Sequence, residues 1–269
     1  MLYLCSLLFA AEPRFEVQSK ALNKEIHYTV WLPKSVDPQK EYPLLIMLHG
    51  LGDSDLNWSR GRVLGVYRSA VDQGLLEEHI VLVPNGERGY WSNHLDTSRR
   101  YGDWVLEAVS DLERRYRVAE DPSRRTLMGL SMGAFGALSI GLQHPEQFGQ
   151  LVAMSPTEMG IAASEKPNWS LYTNVLGDPI HQPYLNALEP REWILRGAGQ
   201  EQRIALIYGA KEQDKFYQGA LRLQRAAAAQ GIEIAVLEVE EGTHSWKSTW
   251  VDTSFLWWMS WLGEIQRGD

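Results

Sequence analysis

The sequence has a single cysteine, Cys5, in 269 residues, which excludes an intrachain disulfide and leaves no thiolate cluster for a structural zinc. Its seven histidines include no His-Glu-x-x-His pair and no two at a spacing that would bring both imidazoles onto one ion. Neither a catalytic metal nor a cofactor is expected. Basic runs are missing as well. Beyond Arg99-Arg100, Arg114-Arg115 and Arg124-Arg125 the cations are scattered, and a net charge of -8 repels a phosphate backbone, so nucleic acid is not an expected partner. No apolar run reaches the roughly 20 residues that span a bilayer. The first run, Met1 to Ala11, ends in Leu8-Phe9-Ala10-Ala11 like the end of a secretory signal but has no basic start. Residues 1–12 are read as an atypical signal or an N-terminal extension, the first implying a secreted or periplasmic protein and the second a cytoplasmic one.

What is present is the composition of an ordinary globule, 44% hydrophobic and 22% charged. With no internal repeat, low-complexity tract or linker, residues 13–269 are expected to form one α/β domain. Leu44 to Leu48, Ile80 to Val83, Thr126 to Leu130, Leu151 to Met154 and Ile204 to Tyr208 are nearly continuous apolar runs, as strands buried on both faces must be. Near the start, Ile26, Tyr28, Val30 and Leu32 alternate with polar neighbours as an antiparallel edge strand would. Helices are expected around 63–73, 102–117, 132–143, 214–230 and 246–264. The order describes a mostly parallel sheet with helices on both faces. Residues 156–200, proline-rich and without strand period, read as an inserted cap or lid.

One strand carries the chemistry. The run ending in Leu127-Met128-Gly129 leads through Leu130 into Ser131 and then a small-residue helix, so Gly129-Leu130-Ser131-Met132-Gly133 stands in the strand-turn-helix setting of a nucleophile elbow. The pentapeptide alone is a weak signal, since a glycine-rich packing turn with an idle serine has the same letters; the setting makes it a strong one. The strand Leu44 to Leu48 ends in His49-Gly50-Leu51-Gly52, a glycine loop able to aim an amide at a developing negative charge. The amides of Leu51 and Met132 are assigned as the two donors, with His49 and Gly50 supporting the loop.

In an α/β-hydrolase arrangement the acid and then the histidine follow the serine. His144 precedes a proline at a helix end and His181 lies in the inserted segment, which leaves His244, after the strand Ile234 to Val239, as the base. The acid should follow the strand Ile204 to Tyr208. Asp214 is chosen there, Glu212 stays open as its substitute because loop length decides which carboxylate reaches His244, and Asp178 is a third candidate.

These motifs, with Tyr116-Arg117-Val118, His144-Pro145-Glu146-Gln147-Phe148 and Gly242-Thr243-His244-Ser245-Trp246, resemble the Putative esterase family, which includes esterase D, feruloyl esterases, tributyrin-type esterases and mycolyltransferases. The resemblance covers most of the chain. It implies the α/β-hydrolase fold, a triad of Ser131, Asp214 and His244, an oxyanion hole at Leu51 and Met132, no cofactor, and hydrolysis of short acyl or carbohydrate-linked acetyl or feruloyl esters. An acyltransferase of the same fold and a non-catalytic carbohydrate- or protein-binding relative are the alternatives. Ala134 and Thr243 stand where the family often has glycine, and the surroundings of Ser131 differ from those of the formylglutathione-hydrolase branch. Trp58, Trp91, Trp169 and Trp193 fall in loops that could border a site, while Trp246, Trp250, Trp257 and Trp261 share one helical face and are read as core.

Overall fold

The computed structural model describes residues 12–60, 62–96, 98–166, 168–244 and 250–267. The readings made on residues 1–11, Cys5 among them, and on Trp246 lie outside the described residues. Eight strands form one sheet: β1 (Arg14–Ser19), β2 (Lys24–Trp31), β3 (Leu44–Leu48), β4 (Ile80–Pro84), β5 (Arg125–Leu130), β6 (Gln150–Met154), β7 (Arg203–Gly209) and β8 (Ile234–Val239). Their spatial order is β1-β2-β4-β3-β5-β6-β7-β8. The first two ladders are antiparallel and the rest parallel. This is the doubly wound α/β architecture of the α/β-hydrolase fold.

Ten α-helices accompany the strands among the described residues: α1 (Asp55–Arg60), α2 (Arg62–Asp72), α3 (Tyr101–Glu113), α4 (Met132–Gln143), α5 (Met159–Glu165), α6 (Ser170–Leu176), α7 (Gln182–Leu188), α8 (Pro190–Leu195), α9 (Asp214–Ala229) and α10 (Trp250–Arg267). Because strand side chains alternate in direction, each central strand feeds two cores. Leu44, Ile46 and Leu48 of β3 pack with Leu127, Leu151 and Leu206 beneath α3, α4 and the short helices α5 to α8. Leu45 and Met47 pack with Met128, Val152 and Ile207 against α2 and α10 on the other side. All five residues of β3, β4 and β6 are buried, which is why these segments read as continuous apolar runs.

Two sequence expectations are corrected. The alternating segment at 26–32 is not the edge. It becomes β2, second in the sheet, and β1 pairs outside it with Phe15 opposite Tyr28 and Val17 opposite Ile26. A strand of sequence Arg-Phe-Glu-Val-Gln-Ser offers only two apolar residues, too few to mark it. On α10 the buried hydrophobic residues among those described are Phe255, Trp258, Met259 and Leu262, whereas Trp257 and Trp261 are half-buried at the flank of that core. Trp257 and Trp261 share one helical stripe, but the buried stripe lies one residue away from it.

Parallel strands deliver their carboxyl ends to a single edge, and loops leaving that edge are where α/β sheets build sites. The 49–54, 155–158, 210–213 and 240–244 segments all leave the sheet there. Residues 159–195 fold into the four short helices α5 to α8 between β6 and β7, and α5 and α6 border the same edge.

Candidate active site

Ser131 sits between the end of β5 and the first residue of α4 with φ 55° and ψ -113°, a conformation that costs a non-glycine residue on the order of 1–3 kcal/mol. The turn is held by its surroundings. The Ser131 amide donates to the Met154 carbonyl at 2.8 Å, and the Phe135 amide donates back to the Ser131 carbonyl at 3.1 Å. A Cβ on Gly129 would overlap the Gly133 carbonyl, and one on Gly133 would overlap the Leu48 carbonyl. The two glycines are therefore required by close backbone approach, and the serine side chain is left standing at the mouth of a cleft.

Ser131 Oγ lies 2.9 Å from His244 Nε2, and His244 Nδ1 lies 3.2 Å from Glu212 Oε1. The Glu212 side chain is fully buried while His244 is about a quarter exposed. Ser155, just past β6, donates its hydroxyl to the same Glu212 oxygen. With its Nδ1 proton directed to the carboxylate, the imidazole presents an unprotonated Nε2 to the serine hydroxyl, the tautomer a general base requires.

Asp214 is not brought to the histidine. It opens α9 as an exposed first-turn acid, a position favoured by the helix dipole, and it lines a separate groove with Ile161, Glu165 and Arg222. The reason is the length of the loop. β7 ends at Gly209, a turn closes with the Glu212 amide donating to the Gly209 carbonyl at 3.2 Å, and Glu212 points inward before the helix starts. Asp178 stands exposed in the turn after α6. His144 makes a surface contact of 3.2 Å with Glu146, and His181 caps α7 by accepting from the Tyr184 amide at 3.2 Å.

The Leu51 and Met132 segments border the cleft on either side of Ser131. Met132 is the first residue of α4, so its amide is one of the first-turn donors that have no acceptor within their own helix. His49 is buried behind the loop. Its Nε2 accepts from the Gly86 amide at 2.9 Å, its Nδ1 faces the Gly50 carbonyl at 2.8 Å, and its own carbonyl accepts from Trp91 Nε1 at 3.0 Å. An acceptor at Nε2 and a donor at Nδ1 describe a neutral ring, and burial lowers its pKa in keeping with that. Farther along, the buried Asp55 carboxylate accepts from Arg14 Nε at 2.7 Å and Thr29 Oγ1 at 2.9 Å, tying the far end of the loop to β1 and β2.

The cleft measures about 360 Å³ and is lined by Tyr90, Thr157, Lys166, Trp169, Tyr172 and Phe216 besides the groups already named. That volume suits a small organic molecule or one residue of a larger one. Tyr90, held at φ 57°, is buried, and burial raises its hydroxyl pKa; Thr157 and Tyr172 stand beside it. Of the four tryptophans in loops that could border a site, Trp169 lines this cleft. Trp58 and Trp91 are buried in the two cores, and Trp193 donates its Nε1 proton to the Ala187 carbonyl at 2.8 Å. Sequence reasoning missed Ser155, Phe216, Tyr90 and Tyr172. Ser155 carried a usable signal, as a hydroxyl directly after a buried parallel strand; the aromatics carried none apart from core aromatics.

A buried carboxylate, an imidazole and a serine on a strained turn stand in line at the carboxyl edge of this sheet, an arrangement that acyl-transfer enzymes of several kinds share. The chain belongs to the Putative esterase family, whose profile matches residues 19–254. It is 24% identical over 241 residues to an acetyl esterase of Caldicellulosiruptor saccharolyticus, covering 83% of this chain and 85% of that one. Among solved structures, a ferulic acid esterase superposes with TM-score 0.78 at 22% identity, over 94% of this chain and 97% of the other. The ferulic acid esterase of Anaeromyces mucronatus in complex with ferulic acid gives 0.69 at 17% identity over 95% and 91%. An S-formylglutathione hydrolase from Agrobacterium tumefaciens gives 0.76 at 19% identity over 94% of each chain. These likenesses establish the fold, and family membership makes the chain a carboxylester hydrolase. Among the described residues no group of three or more metal-ligating side chains is gathered, and no helix is long and apolar enough to cross a membrane.

Proposed function

We propose that the chain hydrolyses short acyl or carbohydrate-linked acetyl or feruloyl esters through an acyl-enzyme on Ser131. The observation that carries this reading is the continuous Ser131–His244–Glu212 line, 2.9 Å and 3.2 Å long in its two contacts, at the mouth of the cleft. Ser131 attacks the ester carbonyl while His244 Nε2 takes the hydroxyl proton, and Glu212 stabilises the imidazolium that forms. The amides of Leu51 and Met132 receive the oxyanion. Collapse of the intermediate breaks the ester bond, and the alcohol leaves with the proton from His244. Water then enters, gives a proton to His244 and attacks the acyl carbon, and Ser131 recovers its proton as the acid departs. Glu212 takes the role expected of Asp214, because only its carboxylate reaches the imidazole. The acetyl esterase relative and the ferulate-bound structural neighbour support the choice of acyl groups.

The test is release of nitrophenol from nitrophenyl acetate and butyrate, and of ferulate from methyl ferulate. Ser131→Ala is expected to abolish turnover, and retention of full activity by that variant overturns the assignment. Glu212→Gln should lower kcat by about 10⁴, as loss of the acid does in serine hydrolases, and Asp214→Asn should change it little. With methanol present, free acid should remain the main product; a dominant methyl ester would instead mark an acyltransferase.

A further inference from the structure

Phe216 lies face to face with the His244 imidazole, the ring centroids 3.8 Å apart and the planes only 9° from parallel. The contact is unusual in kind. The other described ring pairs of this site meet edge to face, such as Tyr90 with Phe135 at 68° and Trp169 with Tyr172 at 86°. Phe216 belongs to the first turn of α9, four residues after Glu212, and its amide donates to the Gln213 carbonyl at 2.9 Å. One short segment thus grips the imidazole twice, Glu212 at the Nδ1 edge and Phe216 across the face, so that both in-plane rotation and tilt of the ring are restrained.

The stack also has an electrostatic sign. A phenyl face attracts a cation through its quadrupole, and it does so more strongly away from water. Around His244, Lys215 and the positive end of α9 oppose an imidazolium, although Lys215 is itself paired with Glu165 of α5 at 2.8 Å. Glu212 favours the imidazolium. Asp53 of the loop after β3, Lys166 at the end of α5 and the hydroxyls of Tyr90 and Tyr172 line the same cleft. An apolar side chain of equal bulk at 216 would exclude water from the imidazole but offer no π face to its charged form. A phenyl ring excludes the water and favours the charged form.

We propose that Phe216 is a positioning residue of the reaction: it holds the His244 plane toward Ser131 and stabilises the imidazolium of the transition state more than the neutral ring of the ground state. The proposal rests on the reading of His244 as base. An interaction that strengthens only as the charge forms raises kcat rather than affinity.

The experiment compares wild type with Phe216→Leu, which keeps apolar bulk and removes the π face, and with Phe216→Tyr, which restores it. Phe216→Leu is expected to lower kcat for nitrophenyl acetate roughly three- to tenfold with KM within twofold. It should also move the acidic limb of the kcat/KM profile down by about half a pH unit. Phe216→Tyr should recover most of both losses. A Leu variant with wild-type kcat and limb overturns the proposal, as does a folded Tyr variant as impaired as the Leu one. The wild-type protein supplies an independent reading should the Leu variant not fold. The His244 Cε1 proton, assigned in NMR by its loss in His244→Asn, should resonate upfield of the unstacked His144 and His181 because it lies over the phenyl ring. An unshifted resonance refutes the stack. An upfield resonance in a protein without esterase activity would leave the stack standing and remove the assigned reaction.

Discussion

Glu189 offers the sharpest thermodynamic test of how the short helices are held over the cleft. It is the residue between α7 and α8, just before Pro190, and its carboxyl is almost entirely buried. One oxygen accepts from the Gly160 amide at 2.6 Å in the first turn of α5, the helix that supplies Ala162 to the cleft wall. Burial is the main cause that lifts its pKa from 4.5 to about 7. The Gly160 bond works against the shift, Glu158 and Glu192 add to it, and Arg191 reduces it. A carboxyl with a raised folded-state pKa withdraws stability as pH rises. Below about pH 4.5 both folded and unfolded chains hold the proton and nothing is lost. From there to about pH 7 the unfolded chain ionises first and gains, and above pH 7 the full penalty stays in place. At about 1.4 kcal/mol per unit, that interval amounts to at most about 3 kcal/mol.

Glu189→Gln keeps an acceptor for Gly160 and removes the titration. Urea unfolding of both proteins across pH 5 to 8 should show curves that approach one another at the acid end. By pH 8 the Gln variant should be more stable by up to about 3 kcal/mol, with unchanged m-value. A constant gap between the two across that range, or a Gln variant less stable at pH 8, would refute the argument that a buried, reluctantly ionised carboxyl secures α5.

Three further outcomes follow from the loop beneath the proposed oxyanion donors and from the elbow. Replacing His49 by Ala strands the buried Gly86 amide and should cost about 1–3 kcal/mol in urea unfolding, while kcat falls more than KM rises because the Leu51 amide loses its backing. Asp55→Ala removes the acceptor of Arg14 and Thr29; since Arg14 is partly exposed, a loss of about 2–3 kcal/mol is expected rather than the larger cost of a wholly buried pair, and a change under 0.5 kcal/mol would show that the loop is held without it. Gly133→Ala forces a Cβ into the Leu48 carbonyl and should yield protein that either fails to fold or folds without esterase turnover; a fully active Ala variant would contradict the packing described for the turn.

Most of this fold can be read from the chain because the central strands are buried on both faces, and nearly continuous apolar runs of four or five residues have few other uses. The serine and the histidine were placed by strand boundaries: Ser131 directly follows the buried β5, and His244 closely trails β8, an edge strand only half-buried but still largely apolar in sequence. The acid was not, because Glu212 and Asp214 leave the same strand two residues apart with the same charge. Their difference lies in a turn that closes at Glu212 and a helix that begins at Asp214, a boundary finer than residue pattern can resolve. β1 and the α10 register were lost for another reason, since half-buried elements spread their apolar residues thinly.

The pairing of acid and base also depends on contacts that no side-chain motif announces. Gly209, at the end of β7, and Gly242, after β8, pass so close that a Cβ on either would collide with the other's backbone. Around that crossing the Ala210 amide donates to the Val239 carbonyl and the Lys211 amide to the Gly242 carbonyl, each at 2.9 Å. Two loops separated by some thirty residues are thereby joined backbone to backbone, one residue before Glu212 and two before His244. Because His244 Nδ1 and Glu212 must meet within hydrogen-bonding distance, an error of an ångström in the relative placement of those loops would break the pair. The glycines of the elbow position Ser131, and this second glycine pair, one ending β7 and one in the loop after β8, positions Glu212 and His244. Ser131, His244 and Glu212 are therefore held in line by backbone contacts at both ends, and that Glu212 rather than Asp214 meets the imidazole is a consequence of where the second contact grips the chain.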